Sequence, residues 1–93
     1  MRNYEFTVIF DANEEKMKEG LAFVVAQLEK AGCQISKQED LGVKTLAYQI
    51  NKQDKGHYVY FELSCDPSSI QPLNRIFQLS TLVLKFLFVN PEK

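Results

Sequence analysis

Between Tyr4 and Phe10 the chain alternates: Tyr4, Phe6, Val8 and Phe10 share one side of an extended backbone, and Glu5, Thr7 and Ile9 share the other. Period two with aromatic and β-branched residues predicts a strand. The pattern breaks at Asp11-Ala12-Asn13, a turn and cap. Glu14 and Glu15 follow in a first helical turn, where carboxylates interact favourably with exposed N–H groups. Met17, Leu21, Val24, Val25, Leu28 and Ala31 then recur at helical spacing, and Gly32 stands at the C-cap, so a helix is predicted over 14–31. Gly20 lowers the propensity of that helix, as close packing on a sheet would demand.

From Ile35 to Asn51 the pattern is one long extended stretch, with Gly42 marking a bulge or kink. Residues 52–56 read as a hairpin loop with Gly56 in a left-handed conformation, and His57 to Ser64 as the returning strand. Asp66-Pro67-Ser68-Ser69 opens a second helix, with Pro72 tolerable only in its first turn and Ile70, Leu73, Ile76 and Phe77 as its buried stripe. Leu82 to Val89 is a last strand, and 90–93 a stub. The order is strand, helix, strand, strand, helix, strand. Two split βαβ units with right-handed crossovers predict an α+β, ferredoxin-like domain over residues 1–93, with a four-stranded antiparallel sheet and both helices on one face.

Two helices cover one face, so the other should be polar at alternate positions. It is not. If Val59, Phe61 and Leu63 face the helices, Tyr58 and Tyr60 lie on the open side. If Leu84, Phe86 and Phe88 face inward, Lys85, Leu87 and Val89 face outward. Ile9, Tyr58, Tyr60, Leu87 and Val89 are therefore expected to form one apolar patch on the uncovered face, the mark of a partner interface.

Composition narrows the choice. A hydrophobic fraction of 45% over 93 residues suits one globular core. The short apolar start, interrupted by Glu5, is neither a signal peptide nor a membrane span, so a cytoplasmic protein is expected. Net charge is −1, unlike a strongly basic nucleic-acid binder, but residues 1–40 balance to −3 and residues 41–93 to +2. Cys33 and Cys65, 32 residues apart with no CxxC and one histidine in the chain, read as two buried or half-buried thiols rather than a zinc site or disulfide framework. No metal and no cofactor are expected.

The segment Leu41-Gly42-Val43-Lys44-Thr45-Leu46-Ala47-Tyr48-Gln49-Ile50-Asn51-Lys52, running on to Gly56-His57-Tyr58, is the specific part of a wider pattern. With Met1-Arg2 and Tyr4-Glu5 at the start, Leu73 to Leu79 and Val83 to Val89, it resembles the family of the sixth protein of the bacterial small ribosomal subunit over essentially the whole chain. That resemblance implies the same ferredoxin-like fold, and binding to the central domain of small-subunit ribosomal RNA as a heterodimer with the eighteenth protein of that subunit. The partner would occupy the uncovered sheet face. The chain departs from the family pattern at Thr45, where a second basic residue is usual, at Gln49, usually proline, and at Gln78, usually arginine. Fewer cations imply fewer phosphate contacts. Some relatives carry a longer C-terminal tail.

On this reading the RNA-contacting candidates are Arg2, Tyr4, Lys44, Lys52, Lys55 and Lys85. Arginine bridges phosphate oxygens in a planar fork, and the lysines line the long hairpin or project beside the apolar patch. Arg75, on the second helix, is expected in surface ion pairing. His57 has no nucleophile or carboxylate fixed beside it by spacing, and no catalytic set can be named, so no enzyme is expected. The alternative is an RNA-recognition-motif-like module binding single-stranded RNA. Lys55 to Glu62 superficially matches its third-strand signature, but His57, Tyr58 and Glu62 stand where an aromatic, a small residue and a second aromatic belong. A small ferredoxin-like enzyme or ligand sensor would need convergent polar groups that the sequence lacks.

Overall fold

The computed structural model describes residues 2–50 and 52–90; the C-terminal stub beyond Asn90 lies outside them. The elements run β1 (Arg2–Asp11), α1 (Glu14–Lys30), β2 (Gln34–Ile50), β3 (Gln53–Cys65), a 3₁₀ turn (Pro67–Ser69), α2 (Ile70–Leu79) and β4 (Val83–Val89). They build one antiparallel sheet in the order β2-β3-β1-β4, the ferredoxin-like arrangement expected from the sequence.

Local chemistry sets the element ends. Asn13 caps α1 by accepting from the Lys16 N–H at 3.1 Å, and its own N–H donates to Asp11 Oδ1. At the other end Gly32 has φ +85°, its N–H bonds the Glu29 carbonyl, and the Cys33 N–H reaches back to Leu28. That paired closure is a Schellman motif, and it needs a left-handed residue at position 32. Gly20 faces the ring of Phe10, where a Cβ would lie 2.6 Å from Cδ1, so the close approach of α1 to the sheet depends on glycine there. Asp66 caps the 3₁₀ turn, and Pro72 sits in the first turn of α2, where no hydrogen bond is lost.

The helix-covered face carries the core. Phe6, Phe10, Phe61, Phe77, Leu28, Leu63 and Leu73 are almost wholly buried. Phe6 is its hub, with ring centroids 4.2 Å from Phe88, 5.4 Å from Phe77 and 5.8 Å from Phe61. Val59, Phe61, Leu63, Phe86 and Phe88 all contribute to this side as the alternation predicts, but Leu84 does not: an irregularity in the β1–β4 register between Ile9 and Phe10 turns Val83 into the core in its place.

The hairpin differs from expectation. The chain reverses between the paired residues Ile50 and Gln53, and Lys52 takes the positive φ of 64°. Gly56 is no loop residue; it lies within β3, opposite both Lys44 and Asp11. Its small size is needed for another reason, since a Cβ there would lie 2.4 Å from Ile9 Cγ2. Gly42 behaves as expected: its φ is +82° and the β2–β3 register shifts between Asp40 and Gly42, which is a bulge.

β1 stops pairing with β3 at Gly56, so residues 45–55 form an arm beyond the sheet end. The arm lies over the uncovered face. Leu46 is buried, and a cleft of about 120 Å³ is lined by Ile9, Leu46, Tyr48, Ile50, Tyr58 and Lys85. Gln53 Nε2 donates to Asp11 Oδ2 at 2.8 Å, and Lys85 Nζ donates to Tyr48 Oη at 2.8 Å. These two bonds tie the arm to β1 and β4.

Candidate functional site

The strand register places side chains on the uncovered face in rows. Gly42, Tyr58, Ile9 and Lys85 form one row; Glu39, Tyr60, Thr7 and Leu87 the next; Lys37, Glu62, Glu5 and Val89 the third. The first row, with Lys44 and the arm, is basic and aromatic. The other two are acidic, with apolar residues at the β4 edge.

In the basic half, Lys44 Nζ sits 5.6 Å from the ring centroid of Tyr58. Lys85 flanks Tyr58 from the other side through Ile9. Its ammonium lies 5.4 Å from the Tyr48 centroid but only 2.8 Å from the hydroxyl, so it meets the phenol end-on rather than over the ring face. The hydrogen bond to Tyr48 raises the Lys85 pKa, and the ammonium keeps its charge. Lys52 and Lys55 are exposed on the arm.

In the acidic half, Tyr60 Oη is 2.8 Å from Glu5 Oε2 and 3.1 Å from Glu62 Oε2. A phenol has one hydrogen to donate, so it satisfies only one carboxylate at a time. The Glu5 carboxylate, then burial and Glu62, push the Tyr60 phenol well above its ordinary range. Lys37 bridges Glu39 at 3.8 Å and Glu62 at 4.0 Å, leaving the cluster net negative. Beside it Leu87 is 61% and Val89 42% exposed.

Of the expected patch, Tyr58, Tyr60, Leu87 and Val89 are at least partly exposed on this face. Ile9 points to the same face but is not free surface. It is 8% exposed, because the arm folds over it. Of the expected RNA-contacting set, Lys44, Lys52, Lys55 and Lys85 gather around the arm. Arg2 is exposed at the far end of β1, nine residues of strand away, or about 30 Å. Tyr4 does not join either group: it points to the helices and belongs to the core cluster, 9% exposed. Tyr4 shares the core-facing side of β1 with Phe6, Val8 and Phe10, and the alternation itself signals this.

Two features escape sequence reading. His57 Nε2 hydrogen-bonds Asp40 Oδ1 across the bulge, and Asp40 is held below the ordinary carboxylate range by the Gly42 N–H and then by His57. The pair fastens the bulge. The second is the meeting of Cys33 and Cys65, both buried in one cluster. Among the described residues no group of three or more His, Cys, Asp or Glu side chains could hold a metal ion, and no helix is long and apolar enough to cross a membrane.

With this geometry in hand, comparison with known proteins separates the possibilities. The model of the family described as ribosomal protein S6 matches residues 3–90. The chain is 39% identical over 92 residues to small ribosomal subunit protein bS6 of Treponema denticola, covering 99% of both chains. It is 34% identical over 95 residues to the protein of the same name from Clostridium novyi, covering 100% of both. Among solved structures, 30S ribosomal protein S6 from Thermotoga maritima superposes with a TM-score of 0.88 at 24% identity, over 98% of this chain and 88% of that one. The C-terminal domain of MgtC from Mycobacterium tuberculosis shares the fold more distantly, with a TM-score of 0.65 and 14% identity over 99% of this chain and 89% of that one. Fold alone therefore leaves the family open, and the end-to-end sequence match decides it: the chain belongs to the ribosomal protein S6 family.

Proposed function

We propose that this protein of the small ribosomal subunit works as a structural, non-enzymatic component. In this reading it binds the central domain of the subunit's RNA as a heterodimer with the subunit's eighteenth protein, on the ribosome in the bacterial cytoplasm. The observation that carries the reading is the division of the uncovered face. Its acidic half, with Leu87 and Val89 alongside, suits a basic and partly apolar protein surface. Phosphate would be repelled by Glu5, Glu39 and Glu62. Its basic half, with Lys44, Lys52, Lys55 and Lys85, suits phosphates. Arg2, about 30 Å off along the strand, would meet a separate stretch of RNA.

The same division weighs against the single-stranded RNA module. A base stacked on Tyr60 would bring its phosphate beside carboxylates that already contend for one phenolic hydrogen. The two aromatic platforms on β3 are therefore not equivalent: Tyr58 has the Lys44 ammonium over its ring, whereas Tyr60 bonds carboxylates.

Leu87→Asp tests the protein half. The side chain is largely exposed, so the free monomer should melt normally. Affinity for the eighteenth protein, by titration calorimetry, should fall at least about tenfold, since a carboxylate would be desolvated without a partner. Position 60 is the poorer probe, because an aspartate there would also meet Glu5 and Glu62 within the monomer. Normal binding by Leu87→Asp would remove this face from the heterodimer. For the RNA half, Lys44→Ala and Lys55→Ala should each lower the log–log salt slope of heterodimer–RNA binding by about 0.7–0.9. An unchanged slope would place the RNA elsewhere.

A further inference from the structure

The β2–β3 ladder opens with Gln34 opposite Ser64. Continued one residue outward, the same register sets Cys33 opposite Cys65. The Cys33 N–H is already committed to the Leu28 carbonyl, so this is not a pair that exchanges backbone hydrogen bonds. Non-hydrogen-bonded antiparallel pairs bring their Cα atoms to about 4.5 Å. That separation falls within the range of about 4.4–6.8 Å that disulfides span. Cys65 shares its face of β3 with Val59, Phe61 and Leu63, and both cysteines belong to the same buried cluster. Each cysteine perturbs the ionisation of the other, so the two side chains are near neighbours.

We propose that Cys33 and Cys65 are a redox-convertible pair, closing as a cross-strand disulfide at the end of the β2–β3 ladder opposite the arm when hydrogen peroxide reaches them. Cys65 is the attacking group in this scheme, since burial raises its thiol less far than that of Cys33. Its sulfur attacks one peroxide oxygen, the O–O bond breaks, and hydroxide leaves to become water by taking up the thiol's proton. Cys65 is then a sulfenic acid. The Cys33 sulfur attacks it, the S–O bond breaks as the S–S bond forms, and the departing hydroxide takes the Cys33 proton as a second water. Two thiols lose two electrons and two protons, and one peroxide becomes two waters.

Burial makes the pair slow to react. It pushes the Cys33 thiol up to about 12 and raises Cys65 as well, so the reduced form is the resting one and closure speeds up with rising pH. Once closed, the bond links β2 to β3 at the end of their ladder. It also ties the end of α1, where Cys33 completes the helix closure, to the start of the 3₁₀ turn beside Asp66.

The test treats the full, folded chain with hydrogen peroxide at mildly alkaline pH and reads it by mass spectrometry under non-reducing conditions. The expected product is a monomer lighter by two hydrogen atoms, with the Cys33 and Cys65 peptides cross-linked after digestion. Its Tm should be higher by at least about 4 °C, and dithiothreitol should reverse both changes. With Cys33→Ala the reaction should stop at a sulfenic acid on Cys65, captured by dimedone. Three results would overturn the proposal: oxygen added to either cysteine with no cross-link, disulfide-linked dimers as the sole oxidised product, or thiols that remain reduced while the urea-unfolded chain oxidises. All three are read on the unmutated chain, so none of them depends on a variant folding.

Discussion

Ile9 Cγ2 occupies the space into which a side chain at position 56 would project: a Cβ on Gly56 would lie 2.4 Å from it. The two residues sit one row apart on the central strands, on the face that α1 and α2 leave uncovered. Leu46 closes over the same point, with its Cδ2 3.4 Å from that Cβ position. Gly56→Ala should therefore destabilise the protein by about 1–3 kcal/mol, the usual cost of forcing a methyl group into a filled site. In an Ile9→Ala background the same change should cost less, by at least about 0.5 kcal/mol, because the colliding methyl is gone. Urea unfolding of the four proteins in this cycle checks both statements. A neutral Gly56→Ala would mean that the arm is not seated over Ile9.

This contact also marks where sequence reading runs out. A glycine needed for a left-handed backbone and a glycine needed for close approach look alike in a sequence. Gly56 follows polar residues and reads as the first kind. The true reversal, between Ile50 and Gln53, carries no glycine, and Lys52 takes the positive φ instead. The faces of β1, β3 and β4 beyond Leu84 are legible because period two is a local property, and so are the helices and their caps; Val83 replaces Leu84 in the core because the β1–β4 register shifts there. Burial of Ile9 is not, because it depends on where an arm more than thirty residues downstream comes to rest. The Asp40–His57 bond and the Cys33–Cys65 meeting depend in the same way on the β2–β3 register, which includes a bulge at Leu41.

Phe6 and Leu87 lie on opposite faces of adjacent strands, and the difference should be large. Phe6 is wholly buried and stacks on Phe88 and Phe77. Phe6→Ala should cost about 3–5 kcal/mol, from lost burial and the cavity left behind. Leu87→Ala should cost about 0.5 kcal/mol or less, since most of the side chain is already in water. Urea titration of each variant separates the two. Similar losses would mean that the uncovered face is packed in the monomer.

Three aspartates should make the fold acid-sensitive. Asp11, Asp40 and Asp66 each accept the backbone N–H of the residue two positions on, from Asn13, Gly42 and Ser68, and that bond is the main reason each lies below the ordinary 3.8. Gln53, His57 and the Ser68 hydroxyl add to it. A depressed folded value means stability that is present above pH 3.8 and lost as pH falls through the lower folded values. Thermal melts should therefore hold steady near neutrality and drop below about pH 4. Asp66→Asn keeps an acceptor at the cap but cannot titrate, so its melting temperature should fall less steeply with acid than that of the parent. An equal acid slope would show that this cap does not carry the linkage.

Tyr60 should titrate late, and its lateness should report on Glu5. The hydrogen bond to the Glu5 carboxylate is the largest cause of the raised phenol, followed by burial and Glu62. Ionising Tyr60 would place a third negative charge among two carboxylates and forfeit the only hydrogen they share. A raised folded value favours the neutral phenol, so its contribution to stability is complete below the ordinary value of 10.0 and is lost as pH climbs through the higher folded value. The chain has four tyrosines, so near-ultraviolet phenolate absorbance should rise in stages, with a last component well above pH 10. Tyr60→Phe should remove that component. Glu5→Gln should move it to lower pH, because an amide oxygen accepts the same hydrogen without the charge that opposes ionisation. Binding of the eighteenth protein should shift it too. A cationic side chain that neutralises Glu5 and Glu62 would ease the phenol's ionisation, and the late component should move down when the heterodimer forms. A component unmoved by Glu5→Gln would detach Tyr60 from Glu5; one unmoved by the partner would leave the acidic half of the face outside the interface.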